Sequence, residues 1–235
     1  MNQKVEFYSR GNQLLRDSYD NMIVSLTRGV NGENVKVLLF CGSEPGVGTT
    51  TVAIEMAVFL AESKRRVLLI DGDMRKQNQH KRLGNLNGPG LGEYLEGKVG
   101  YHEIVTTTNQ KWLDFVCRGE VSSGQHSLSM LGSSELERLL VRARGEYDFI
   151  LIDSPSIEVA NDAFALSFLV DGILLVAAVE QSSKASLKKA THLFGRENGK
   201  LLGVIANKVA QTKYRSYLSQ YDYFCKGKYI KPRRD

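Results

Sequence analysis

Short apolar runs alternate with longer stretches of helical spacing along most of the chain. Five runs rich in Val, Ile and Leu predict strands, at 35–40, 67–70, 149–152, 173–176 and 201–206. These runs are continuous, which is typical of strands that are buried on both faces. Helical spacing marks the stretches 50–63, 134–143, 161–170 and 183–194. The pattern predicts an α/β fold, a doubly wound and mostly parallel sheet with helices on both faces.

The chain divides into three predicted parts. Residues 1–33 are polar and predict a helical segment around 14–27, residues 34–210 hold the α/β domain, and residues 211–235 form a basic, Tyr-rich tail. Within the domain, residues 76–132 are rich in Gly and polar side chains, and we expect them to be its least regular part.

The composition is that of an ordinary globular protein. The 235 residues are 42% hydrophobic and 24% charged, which suffices for one α/β domain with a sizeable core. No apolar run approaches the roughly 20 residues that span a bilayer, and the first residues lack the apolar stretch of a secretory signal. The three cysteines, at 41, 117 and 225, have neither a metal-binding nor a disulfide spacing. We therefore expect a cytoplasmic protein.

The net charge of +5 is concentrated at one end of the chain. Residues 211–235 contain seven Lys/Arg and two acidic residues, so the rest of the chain is formally neutral. The basic balance therefore describes the tail and not a nucleic-acid-binding face of the domain, and we expect no nucleic acid partner.

A phosphate-binding loop is predicted between the first strand and the helix that follows it, in the stretch CGSEPGVGTTT at 41–51. Gly46 and Gly48 permit a tight turn that exposes successive backbone N–H groups. The following helix adds its unpaired amides and the positive end of its dipole. Thr50 keeps the hydroxyl that such loops use to bind Mg²⁺.

The loop matches the pattern G-x-x-x-x-G-K-[ST] only in part. Ser43 stands at the first glycine, and Thr49 stands where the lysine is usual. Taken alone, the stretch fits a glycine-rich turn between strand and helix equally well.

Three acidic residues follow predicted strands. Asp71 and Asp73 end the strand of VLLIDGDMRK, and Asp153 ends the strand of YDFILIDSPS. The carboxyl ends of parallel strands share one edge of the sheet, so we expect these carboxylates near the loop. A hard divalent cation would make their proximity tolerable. Each acid by itself could be a helix cap or a loop residue.

Together these motifs resemble the cytoplasmic catalytic domain of the bacterial tyrosine kinases of capsule and exopolysaccharide synthesis, over about residues 12–235. SEPGVGTTT is similar to the family's Walker A loop, LLIDGDMRK to its second acidic motif and EYDFILIDSPS to Walker B. HKRLGNLNGPGLGEYLEG and LLGVIANKV match further stretches, and half of the 10 tyrosines lie in the tail, like the family's C-terminal cluster. The resemblance implies a P-loop NTPase-like kinase domain over 34–210.

The resemblance also implies a set of site residues, with Mg²⁺ and ATP or ADP as cofactors. The nucleotide would contact the loop, with Asn207 near the base: Pro45, Gly46, Val47, Gly48, Thr49, Thr50, Thr51 and Asn207. The metal would be bound by Thr50, Asp71 and Asp153, and the catalytic acids would be Asp71, Asp73 and Asp153. Tail tyrosines are the candidate phosphoacceptors: Tyr214, Tyr217, Tyr221, Tyr223 and Tyr229. The implied partners are a transmembrane activator of polysaccharide export and further copies of the chain, at the inner face of the membrane.

The sequence departs from the family at a functional position of the loop. Thr49 removes an ammonium group, and losing one preorganised donor typically costs about 3–4 kcal/mol of transition-state stabilisation. Related partition ATPases carry a second lysine where this chain has Glu44, so the loop does not supply that substitute. Arg75 and Lys76 are cations that could reach the phosphates. We therefore predict weak or absent catalysis and a regulatory or structural role.

A further departure concerns the interface through which the family builds a ring of subunits. The family's Glu-x-x-Arg-x-x-Arg motif corresponds here to Asp17, Asp20 and Ile23. A homo-oligomer therefore stays an open expectation. The loop before the Walker B helix also lacks the family's prolines.

Two alternative functions stay open. The chain could be an active tyrosine autokinase that phosphorylates its own C-terminal cluster without the lysine. It could also be a membrane-associated ATPase of the partition type, with the basic, aromatic tail as a surface anchor. The tail could equally be a solvated chain end.

Overall fold

A computed structural model describes residues 13–27, 35–75, 88–122, 126–159, 161–196 and 200–210. The seven strands are β1 (Val37–Gly42), β2 (Val67–Asp71), β3 (Val105–Thr107), β4 (Leu113–Val116), β5 (Phe149–Asp153), β6 (Gly172–Ala178) and β7 (Leu201–Asn207). The described helices are α1 (Gln13–Thr27), α2 (Thr49–Glu62), α3 (Leu91–Leu95), α4 (Tyr101–Ile104), α5 (Ser127–Leu131), α6 (Ser134–Glu146), α7 (Asp162–Ser167) and α8 (Lys184–Arg196). No described helix is both long and apolar enough to cross a membrane.

The strands form one sheet in the order β3-β4-β2-β5-β1-β6-β7. All neighbours are parallel except β3, which runs antiparallel to β4. The predicted doubly wound, mostly parallel sheet is therefore confirmed. Strand β1 lies between β5 and β6, so the loop that follows it opens at the middle of the sheet edge.

Alternate residues of the central strands pack into two apolar layers. Leu38 and Phe40 of β1 face the layer built with α1 and α2, whereas Val37 and Leu39 face the layer built with α6, α7 and α8. All four side chains are fully buried, which explains why the run has no polar alternation.

The predicted N-terminal helix is α1, and it packs on the domain. Tyr19 stacks on Phe59 of α2, with the ring centroids 4.8 Å apart, and its hydroxyl donates a hydrogen bond of 2.7 Å to Glu55. Ile23 is only 8% exposed within the same layer. A residue that stands where the family has an arginine thus belongs to the core of this domain.

The stretch 76–132, which we expect to be the least regular part of the domain, contains five short elements among its described residues: α3, α4, β3, β4 and α5. These elements have three to five residues each, too few for periodicity to reveal them. Backbone packing holds them instead: a Cβ on Gly90 would lie 2.4 Å from the Cys117 carbonyl oxygen. Helix α7 is also shorter than the predicted 161–170, and β1 begins and ends two residues later than predicted.

Candidate functional site

The loop between β1 and α2 has the conformation of an anion cradle. Gly46 has φ +77° and Gly48 has φ +94°, both in the left-handed region that favours glycine. Gly48 is the N-cap of α2 and offers no side-chain hydrogen bond to the first turn. The amides at this helix terminus are therefore not capped by that residue, which suits an anionic ligand.

Hydrogen bonds with the neighbouring strands β6 and β7 hold the loop in place. Ser43 N donates to Val176 O over 2.9 Å, and the Asn207 amide donates to Val47 O over 2.8 Å. A Cβ on Gly48 would lie 2.4 Å from Asn207 Nδ2, so the glycine is required by space as well as by φ. Asn207, which the resemblance implies near the base, thus supports the loop directly, and its contact with a base stays a prediction.

Thr49 stands at the position of the usual lysine and Glu44 at that of the second lysine of partition ATPases, and neither supplies positive charge. The Thr49 hydroxyl would lie 2.7 Å from a Cβ on Gly42, so this side chain lies against the end of β1. Glu44 accepts a hydrogen bond of 2.9 Å from Ser183 N, at the start of α8, and that bond lowers the pKa of Glu44. The loop is thereby connected to α8 through an acid.

The two acids at the strand ends lie side by side. Asp71 and Asp153 are register partners on β2 and β5, and they are 3% and 4% exposed. Gly72 N donates to Asp153 O over 2.8 Å, which joins the two strand ends. A small cavity is lined by Thr50, Asp71 and Asp153, together with Ile54, Leu69, Ile70 and Phe115. The structure therefore brings together the three residues predicted as metal ligands.

Asp73 lies in the turn after β2 and is 1% exposed. Its backbone N–H donates to Asp71 Oδ1 over 3.1 Å, and its own Oδ1 accepts the N–H of Arg75 over 3.2 Å. The two acids of this motif are therefore linked through the backbone, as part of one turn.

Burial raises the pKa of Asp71 well above its ordinary value, and the neighbouring charge of Asp153 raises it further. A divalent cation would relieve both effects. A hydroxyl and two carboxylates are the hard oxygen donors that Mg²⁺ prefers. In the described part of the chain, no three His, Cys, Asp or Glu side chains form a metal centre by themselves. Mg²⁺ would therefore complete its shell with water and phosphate oxygens, as it commonly does.

Arg75, considered in the sequence as a cation for the phosphates, pairs with Asp162 in the structure. Its guanidinium donates two hydrogen bonds of 3.2 Å to Asp162, which is fully buried at the start of α7. This pairing ties the turn after β2 to α7 and engages the charge of Arg75 with a buried carboxylate. Lys76 and the five tail tyrosines lie outside the described residues, so their roles stay predictions.

Sequence reasoning missed Arg118, which follows β4 and is 9% exposed. Its Nη1 donates to Met74 O over 3.3 Å, in the same turn that carries Asp73. The only signal was a basic residue directly after the run LDFVC, and that run was not recognised as a strand.

The chain is similar to known proteins over most of its length. The family model described as an AAA domain matches residues 35–196. The putative tyrosine-protein kinase CapB of Staphylococcus aureus is 31% identical over 192 residues, which are 81% of this chain and 83% of CapB. The putative tyrosine-protein kinase AmsA of Erwinia amylovora is 31% identical over 181 residues, which are 77% of this chain but 25% of AmsA.

Solved structures share the fold. The kinase domain of the Escherichia coli tyrosine kinase ETK superposes with a TM-score of 0.80 at 24% identity, covering 90% of this chain and 83% of that domain. The septum site-determining protein MinD of Pyrococcus horikoshii OT3, complexed with Mg-ADP, gives a TM-score of 0.61 at 24% identity, covering 73% and 69% of the two chains. At these identities the likeness concerns the fold alone, which is that of a P-loop NTPase.

Proposed function

The chain belongs to the family of bacterial tyrosine-protein kinases, and from this premise we propose that it binds nucleotide but transfers phosphate weakly or not at all. Its role is that of a regulatory or structural partner in the synthesis and export of capsule or exopolysaccharide. The chain matches about a quarter of long relatives such as AmsA, so the activity of such a whole protein is not transferred to it.

One observation supports this proposal above the others: the cradle is intact while position 49 lacks its ammonium group. Gly46 and Gly48 adopt the left-handed conformations of the loop, and Asn207 supports it. Thr49 lies against Gly42 and carries no charge. Phosphate binding relies on backbone amides, whereas charge neutralisation during transfer relies on the missing side chain. Binding is therefore retained better than chemistry.

The site residues have distinct roles in this proposal. The loop amides hold the phosphates, Thr50, Asp71 and Asp153 hold Mg²⁺, and Asp73 orients the turn through its bond to Arg75 N. The cation, when bound, supplies positive charge on the phosphate oxygens. A tail tyrosine of a neighbouring copy is the acceptor if any transfer takes place. The proposed partner is a transmembrane activator, which places the protein peripherally at the inner face of the membrane.

The test is a phosphotyrosine blot of the purified protein incubated with Mg·ATP, beside Asp71→Asn as the negative control. We expect no signal above that control, while ADP bound with Mg²⁺ raises the melting temperature. Thr49→Lys restores the missing donor and should raise any phosphotyrosine signal by roughly two orders of magnitude.

An active autokinase is the alternative that this experiment decides. Robust phosphorylation of the unaltered protein, abolished by Asp71→Asn, would show that the chain manages without the lysine. The proposal of weak or absent transfer would then be wrong, although the nucleotide site itself would be supported.

A further inference from the structure

The acidic site contains three buried carboxylates and lacks the usual lysine. Asp71, Asp73 and Asp153 are each at most 4% exposed, and Thr49 stands at the lysine position. Buried like charges require compensation by a cation, by hydrogen bonds or by protonation. Arg75 is mainly engaged elsewhere, because Asp162 accepts both of its side-chain hydrogen bonds, and its charge interacts with Asp73 as a smaller effect.

Among the described residues, Arg118 is a buried cation at this edge of the sheet. Strand β4 pairs with β2 so that Val116 lies beside Ile70, and Arg118 therefore follows β4 at the same edge of the sheet where Asp71 and Asp73 follow Ile70. The Arg118 side chain reaches this turn, since Nη1 donates to Met74 O over 3.3 Å. Burial and then the charge of Asp153 raise the pKa of Asp71, and the charge of Arg118 lowers it by a smaller amount.

The hydrogen bonding of Arg118 is incomplete among the described residues. Its Nε is buried and has no hydrogen-bond partner within the described residues. Glu93 of α3 accepts the N–H groups of Gly90 and Glu120. A buried guanidinium that makes so few hydrogen bonds is costly unless it compensates nearby negative charge.

We propose that Arg118 is the resident counter-cation of the acidic site, which balances Asp71, Asp73 and Asp153 when no metal is bound. Mg²⁺ entering the site then meets a fixed positive charge, so it binds well only together with the phosphates of a nucleotide. This inference rests on the proposed function, because it concerns the same metal site, and it adds that metal binding is coupled to nucleotide binding.

Three substitutions separate charge from packing. Arg118→Met removes the charge and keeps the aliphatic volume, Arg118→Gln can still donate to Met74 O, and Arg118→Lys keeps the charge. Arg138→Met is the matched control, because it removes the same charge from a side chain that is 72% exposed on α6. Each variant is melted in EDTA, along a MgCl₂ titration, and along the same titration with ADP.

We expect Arg118→Met and Arg118→Gln to melt lower in EDTA and to recover with Mg²⁺ alone. The Mg²⁺ concentration for half of the maximal shift should fall at least about tenfold relative to the unaltered protein, because a competing buried charge is gone. Arg118→Lys and Arg138→Met should follow the unaltered protein. A variant that folds only in the presence of Mg²⁺ would support the inference most strongly.

The same Mg²⁺ dependence in Arg118→Met, Arg118→Gln and the unaltered protein would overturn the inference, whatever their melting temperatures in EDTA. Failure of both neutral variants to fold even at saturating Mg²⁺ would also overturn it, because Arg118 would then be needed for packing. The proposed function fails separately, if the unaltered protein shows no shift with Mg²⁺ and ADP together.

Discussion

Asp71→Asn should stabilise the metal-free protein while it weakens the metal site. The substitution removes a buried negative charge beside Asp153 and keeps the oxygen that accepts the N–H of Asp73. Neighbouring strands lie about 4.8 Å apart. At an effective dielectric constant of about 20, two like charges at roughly 5 Å repel each other by about 3 kcal/mol. Allowing for partial protonation, we expect a gain of about 1–3 kcal/mol in the free energy of unfolding, or roughly 3–10 °C in melting temperature.

The stability gain of Asp71→Asn should depend on pH, and the sign follows from the pKa of Asp71. Burial first, and then Asp153, raise the pKa of Asp71 in the folded state above its ordinary value of 3.8. The folded state therefore binds this proton more tightly than the unfolded state, and stability falls as pH rises from 3.8 towards the raised pKa. The advantage of Asp71→Asn should be absent below about pH 4 and complete above the raised pKa.

The assay is thermal melting in EDTA across this pH range, with Asp20→Asn on the exposed side of α1 as the control for loss of a surface charge. Asp20→Asn should stay within about 0.5 kcal/mol of the unaltered protein. Addition of Mg²⁺ and ADP should reverse the order, because only the protein with Asp71 gains from the cation. An equal or lower melting temperature for Asp71→Asn in EDTA, or a gain that does not depend on pH, would refute the reasoning.

Three further substitutions test individual contacts. Gly48→Ala should destabilise the protein by about 1–3 kcal/mol in urea unfolding and abolish ADP binding, because φ is +94° and the new Cβ would meet Asn207. Its control is Gly145→Ala, which should be neutral or stabilising because a Cβ at this position of α6 meets only open space. Arg75→Ala leaves Asp162 buried without its charged partner and should cost about 2 kcal/mol, whereas little loss would show that this pair is unimportant. Ile23→Arg restores a residue of the family's ring motif, but it should lower the free energy of unfolding by about 2–4 kcal/mol because Ile23 is buried. Light scattering should show no oligomer, and a stable ring would contradict this reasoning.

The main sheet could be predicted from the sequence because its strands are buried on both faces. Runs such as 149–152 have no polar residue, and the acid that follows each run marks the edge where ligands bind. The positions of the loop, Asp71 and Asp153 in the sheet follow from this rule alone. Which of these residues come into contact depended on the strand order, which the sequence pattern does not give.

The edge of the sheet beyond β2 could not be predicted in the same way. Strands β3 and β4 have three and four residues, and the helices around them are held by close backbone contacts at glycines. Such contacts leave no periodic signal. Arg118 was missed for this reason: its importance depends on β4 lying beside β2, and nothing local to LDFVC indicates that pairing. The partnership of Arg75 with Asp162 likewise joins residues far apart in the sequence.

The central claim is that the loop still binds phosphate although its transfer machinery is incomplete. It is tested most directly by isothermal titration of the unaltered protein with ADP in the presence of Mg²⁺. The account predicts saturable one-to-one binding that weakens strongly in EDTA and disappears in Gly48→Ala. No saturable binding up to about 1 mM ADP, an affinity limit of roughly −4 kcal/mol, would contradict it.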